Sequence, residues 1–222
     1  MGQNRFRQYK ILDRLGKGGS SEVFSARGPW EEVVALKIQR RPRKRAQFQR
    51  EFELLNQPIH PQLVKMYEYG MTDEGWSYLI MECLTGTSAT TYARSFYGRK
   101  RIWRSVSVAA QVSSAVGSLH DRGWIHGDLK SKNIIVDKND RAVLIDFELA
   151  RELTRTGTGK FFGTRSYAPP EQHAGEPLTP SVDVYSMAGV LCRMITNRLP
   201  FKTVEREQQA HLRRTTKPHV SV

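Results

Sequence analysis

The sequence predicts an α+β chain of two lobes, a small antiparallel sheet carrying one helix and then a mainly helical lobe. Three observations carry this. Short stretches rich in apolar and β-branched residues recur as far as Met81, apolar spacing turns helical after Gly86, and one late stretch is apolar almost throughout. With 222 residues, 39% hydrophobic and 26% charged, the chain can bury one large core or two small ones. The lobe boundary falls in ECLTG, which divides the chain into 1–84 and 85–222.

In the first lobe YKILDRL, SEVFSAR and VVALKIQ read as strands. AQFQREFELLNQ reads as the helix, and LVKMYEYG and WSYLIMEC as two further strands. In the second, SVSVAAQVSSAVGSLHDRG has helical spacing and ends at Gly123, a suitable C-cap. NIIVD and AVLID read as a strand pair with KND as the turn. SVDVYSMAGVLCRMIT is apolar enough to predict a helix buried on all sides. After Phe201 there is room for one helical stretch, VEREQQAHLRR. The helical lobe is therefore expected to lack its last helices, either as a truncated domain or as a minimal or degenerate one whose lower edge needs a partner.

No run of eighteen apolar residues occurs, and the start, MGQNRFRQYK, lacks the apolar core of a secretory signal, which predicts a cytoplasmic chain without a membrane span. Gly2 is not a myristoylation site, because Phe6 stands where Ser or Thr is required. Cys83 and Cys192 form neither a metal pattern nor a disulfide framework. The formal charge of +13 is concentrated in RRPRKR (40–45) and GRKRIWR (98–104). Such runs are usually solvated faces, with an acidic partner, nucleic acid or a membrane surface as the alternatives. No nucleic-acid motif accompanies either run, so composition does not establish nucleic-acid binding.

GKGGSSEV lies between two predicted strands, with Gly16 and Gly18 where a backbone can approach phosphate oxygens. Alone it reads equally well as a hairpin turn. Fourteen residues after Val23, VVALK ends in Lys37, a cation in an apolar run that needs an anionic partner. Glu51 is placed to provide it, with Glu53 as the rival.

HGDLKSKN brings an imidazole, a carboxylate, an ammonium and an amide into eight residues, and thirteen residues beyond Asn133 a strand delivers Asp146. Asp146 and Asn133 suit Mg²⁺, a hard cation that takes few protein ligands besides water and phosphate. Asp128 would accept the proton of an attacking hydroxyl and Lys130 would offset charge on a transferring phosphoryl group.

These residues, in this order, resemble the protein kinase signature set, and the resemblance runs from about Tyr9 to Phe201. GKGGSSEV resembles the Gly-rich loop, VALK the strand lysine, HGDLKSKN the catalytic loop and DFE the metal-binding DFG. Glu51, ten residues before Pro61, stands where the helix αC glutamate usually does. LIMECL resembles the hinge. The resemblance implies that Met81 is the gatekeeper, that the backbone of Glu82 and Leu84 faces adenine, and that Val23, Ala35 and Ile135 sandwich the ring. GTRSYAPPE is similar to the end of an activation segment, and Asp183 would anchor the catalytic loop from below. Lys130 with Thr164 matches the serine/threonine type. The implied activity is ATP-dependent phosphorylation of Ser or Thr in proteins, with Mg²⁺.

Four features qualify this. Gly127 replaces the arginine of HRD, removing the cation that pairs with an activation-segment phosphate. Thr154, Thr156 and Thr158 are therefore expected to be dispensable. Glu148 replaces the glycine of DFG, which is expected to stiffen the segment and keeps a pseudokinase scaffold as an alternative. HGD with IDFE also resembles small-molecule kinases of the aminoglycoside and choline type, but those generally lack the APE-like segment present here. Finally, Glu171 has no obvious arginine partner.

Overall fold

The computed structural model describes residues 5–18, 21–39, 45–56, 59–155 and 159–201. The chain packs as two units, residues 1–59 with 64–84, and residues 60–63 with 85–222. His60–Leu63 belongs with the second unit because the Leu144 N–H donates to the Gln62 carbonyl at 2.8 Å and Leu63 bridges Leu144.

The first unit is a six-stranded antiparallel sheet. Its strands are β1 (Arg5–Phe6), β2 (Tyr9–Lys17), β3 (Ser21–Arg27), β4 (Val33–Gln39), β5 (Met66–Met71) and β6 (Ser77–Glu82), in the order β1-β2-β3-β4-β6-β5. One helix, α1 (Arg45–Leu55), interrupts the series. Strand β4 is buried from Val34 to Gln39, because both of its faces are covered. Leu36, Ile38, Tyr78 and Ile80 form a core cluster with Tyr9, Ala26 and Val34. Phe48 and Leu54 are the buried apolar side chains of α1 that flank Glu51.

The second unit contains β7 (Thr87–Ser88), α2 (Ala89–Arg94), α3 (Gly98–His120), β8 (Trp124–Ile125), β9 (Ile134–Val136), β10 (Ala142–Leu144), β11 (Arg151–Glu152), α4 (Pro170–Ala174) and α5 (Ser181–Thr196). The pair β9–β10 forms as its sequence predicts, and β8 pairs with β11. Helix α3 begins seven residues before the predicted Ser105, so the basic run 98–104 forms its first two turns. Arg101 donates to the Met194 carbonyl and Arg104 pairs with Asp140 across these turns.

Helix α5 has the predicted bounds but not the predicted burial on all sides. Val182, Met187, Val190 and Met194 are buried, whereas Val184 is 65% exposed. A groove of about 290 Å³ opens beside it, between α3 and α5. The expected stretch VEREQQAHLRR and the lower edge it bears on lie outside the described residues.

Candidate active site

In the first unit, the β2–β3 hairpin aligns Gly16 with Val23 and Lys17 with Glu22. A Cβ at Gly16 would meet no protein atom within 4 Å, and neither Gly16 nor Gly18 has a positive φ. Among the described residues, neither backbone conformation nor close packing requires glycine at 16.

Antiparallel pairing places Val23 beside Lys37, Ala35 beside Met81 and Val34 beside Glu82. Ala35 and Met81 are buried, whereas Val23, Glu82 and Leu84 are half-buried. The Glu82 N–H is committed to the Lys65 carbonyl at 2.9 Å.

Lys37 Nζ lies 3.0 Å from both carboxylate oxygens of Glu51, and the two residues are 4% and 2% exposed. The ammonium also sits over the Phe48 ring, 5.1 Å from its centre. Glu53, the rival, is exposed and accepts from Gln49 at 2.8 Å. Burying an ion pair costs desolvation that attraction alone often fails to offset.

In the second unit, β8 leads into a loop held from beneath by α5. Asp183 is 1% exposed; its Oδ2 accepts the His126 N–H at 2.8 Å and its Oδ1 accepts the Gly127 N–H at 2.9 Å. His120 Nε2 lies 2.9 Å from the same Oδ2. His126 is fully buried, packs edge-on against Phe147 at 4.9 Å, and accepts the Asp128 N–H on Nδ1 at 3.2 Å. Burial is the main cause holding its pKa below the ordinary value, against the pull of Asp183, Asp128 and Asp146.

The two oxygens of Asp128 are used differently. Oδ2 accepts from Lys130 Nζ at 2.5 Å, and the same ammonium donates to Thr164 Oγ1 at 3.2 Å. Oδ1 is buried and makes no hydrogen bond. A buried carboxylate oxygen without a donor is costly, and an arriving hydroxyl would satisfy it.

Asn133 lies in the short 3-10 turn Ser131–Asn133, and its Nδ2 donates to the Asp128 carbonyl at 3.1 Å. The Ile145 N–H donates to the Asn133 carbonyl at 2.8 Å, which ties the strand end bearing Asp146 to the same turn. Asp146 is in the left-handed region at φ 66°, a strained conformation for a non-glycine residue that is concentrated at functional positions. Glu148 has no positive φ, so the backbone makes no use of glycine's freedom there. Ile135, in β9, is half-buried.

Thr164 is held near Lys130 by a turn that accepts the Tyr167 and Ala168 N–H groups at 2.9 and 3.1 Å. Glu171 opens α4 and makes no ion pair among the described residues. Gln172, the next residue, is 1% exposed and carries no motif, so sequence reading passed over it.

The protein kinase domain model matches residues 9–220 of the chain. The chain is 34% identical over 222 residues to the serine/threonine-protein kinase PknD of Mycobacterium tuberculosis, covering 94% of this chain and 33% of PknD. It is 31% identical over 208 residues to PknH of Mycobacterium bovis, another serine/threonine-protein kinase, covering 89% of this chain and 34% of PknH. A probable serine/threonine-protein kinase PknB of Lactococcus lactis is 28% identical over 204 residues. The chain spans about a third of the length of these curated relatives.

Proposed function

Because the chain belongs to the protein kinase family, we propose that it transfers the γ-phosphoryl group of ATP to serine or threonine hydroxyls of protein substrates. The observation that carries this reading is Asp128, whose Oδ2 is bound by Lys130 while its buried Oδ1 awaits a donor. The acceptor hydroxyl oxygen attacks the γ-phosphorus, the bond to the bridging oxygen breaks, and ADP leaves with the electron pair. The hydroxyl proton passes to Asp128 Oδ1. Lys130, spanning Asp128 and Thr164, keeps a positive charge beside the attacking oxygen. Its bond to a threonine hydroxyl supports the serine/threonine type.

Asn133 and Asp146 fit Mg²⁺, since both carry side-chain oxygens and the Ile145 N–H, on the residue before Asp146, is bound to the Asn133 carbonyl. No cluster of three or more His, Cys, Asp or Glu side chains among the described residues is placed to hold a metal. Mg²⁺ takes few protein ligands and would be completed by water and phosphate oxygens. When bound, Mg²⁺ neutralises phosphate charge. In the first unit, Lys37, held by Glu51, is the phosphate-binding cation. Val23, Ala35, Met81, Glu82 and Leu84 are the adenine-binding candidates of the first unit, and Ile135 is that of the second.

No helix among the described residues is long and apolar enough to cross a membrane. We place this activity in the cytoplasm, where ATP is available and where Cys83 and Cys192, both free, remain reduced. Of the two basic runs, 40–45 lies largely outside the described residues. In 98–104, Arg99 and Lys100 are exposed and suit an acidic partner segment, whereas Arg101 and Arg104 are engaged within the chain.

Purified protein incubated with labelled ATP, Mg²⁺ and a basic protein substrate should transfer label to serine or threonine, and Asp128→Ala should abolish it. Saturable ATP binding without transfer would overturn the reading in favour of a scaffold. Label appearing only on an added aminoglycoside or choline would overturn it in favour of a small-molecule kinase.

A further inference from the structure

Gln172 spans the two segments that the proposed reaction must hold together. Its single Nε2 donates to the Gly127 carbonyl at 2.8 Å and to the Phe162 carbonyl at 2.9 Å, so both amide protons are used. The first bond reaches the peptide that joins Gly127 to Asp128. That peptide is thereby fixed at both ends, its carbonyl by Gln172 and its N–H by His126 Nδ1. The Gly127 N–H, on the preceding peptide, is fixed by Asp183. The direction of the Asp128 side chain follows from this backbone.

The second bond ties down the segment that passes over Asp128. Phe162 packs on the buried cluster of Ile125, Leu178 and Val182, and the Arg151 guanidinium lies over its ring at 3.5 Å from the centre. Gly163 follows in the left-handed region at φ 99°, where an added Cβ would lie 2.8 Å from Gln172 Nε2 and 2.9 Å from the Gly127 carbonyl. The same Cβ would stand 3.6 Å from Asp128 Oδ1, so glycine there leaves the unbonded oxygen clear.

We infer that Gln172 is a positioning residue that clamps the catalytic loop to the segment bearing Phe162 and Gly163, and so sets Asp128 Oδ1 toward the acceptor hydroxyl. The inference rests on the kinase reading for its consequence in turnover, and on geometry alone for the clamp. The clamp uses an uncharged amide and two backbone carbonyls, and no charged group takes part in its two hydrogen bonds.

The test compares wild type with Gln172→Met, which keeps the volume and removes both donors, and with Gly163→Ala, which disturbs the same amide from the opposite side. Two measurements are made on the full chain. One is steady-state phosphotransfer to a basic protein. The other is the rate of limited trypsin cleavage after Lys160 and Arg165, both exposed. A misplaced catalytic group commonly costs about 100-fold in rate. Both variants should lose at least about tenfold in kcat with KM for ATP within about twofold, with kcat expressed per ATP-binding site titrated in each preparation, so that a loss of folded protein does not count as a loss of turnover. Trypsin should cut them at least about tenfold faster, as expected where local opening is easier. Wild-type kcat and wild-type cleavage in a folded Gln172→Met variant would overturn the clamp. If wild type transfers no phosphate, the kinase reading fails, and trypsin rates alone then decide the clamp. Should Gln172→Met not fold, Gly163→Ala decides by the same two measurements.

Discussion

Lys37 and Glu51 face each other with the ammonium 3.0 Å from both carboxylate oxygens and almost no water contact on either side. Removing one member strands the other as a buried charge, which typically costs about 3–5 kcal/mol. Lys37→Met and Glu51→Leu should each therefore lower the urea midpoint markedly. The double variant, which removes both charges and fills the space with apolar groups, should unfold at or above the wild-type midpoint, yet transfer no phosphate. A double variant as unstable as either single one would show that the pair is not coupled as the geometry implies.

Gly127 supplies no cation to an activation-segment phosphate, and Leu153 and Phe162 already dock that segment through apolar contact. Thr154 is exposed, and Thr156 and Thr158 lie outside the described residues. The triple Thr→Ala variant should keep kcat within about threefold of wild type, since position 127 carries no cation that a phosphate on that segment could pair with. Loss of phosphotransfer in that variant, measured on phosphatase-treated protein, would refute this.

Strands β3 and β4 have the bounds their sequences predict, because apolar and β-branched runs bounded by Gly, Pro and charged residues leave little choice of register. Helix α3 was legible only from Ser105, because Arg and Lys at 99–104 read as a solvated charge run although both are good helix formers. The choice between Glu51 and Glu53 could have been made from spacing. Phe48, Glu51, Leu54 and Leu55 share one helical face, from which Glu53 is excluded. Gln172 had no such signal, since its role arises from two carbonyls that lie 45 and 10 positions away in the chain. The open side of α5 was likewise illegible, because apolar content reports which residues could be buried and not what covers them.

His126 is buried in neutral form, with its pKa held below the ordinary value of 6.5. A depressed basic group favours the folded state only while unprotonated. The unfolded chain therefore binds the extra proton first, and stability falls as pH drops below about 6.5. The loss approaches about 1.4 kcal/mol per pH unit for one proton, until the folded-state pKa is reached. Melting temperatures from pH 8 to pH 5 should show this slope, and His126→Leu should flatten it. The variant also leaves the Asp128 N–H unpaired, which costs about 1–3 kcal/mol at every pH. An unchanged acid slope in the variant would assign the titration to another group.

Gly127 has φ 72°, and an added Cβ would lie 3.1 Å from Phe162 Cε2. Restoring the arginine of the usual motif therefore places a side chain in the left-handed region and against a ring already packed on its neighbours. Strain of this kind costs about 1–3 kcal/mol. The Phe162 ring would have to shift, and with it the carbonyl that Gln172 binds. Gly127→Arg should consequently lower both the melting temperature and kcat. Pairing it with Phe162→Ala should recover part of the lost turnover by making room for the side chain, although the second change alone is destabilising. A single Gly127→Arg variant as active and stable as wild type would show that Phe162 yields freely.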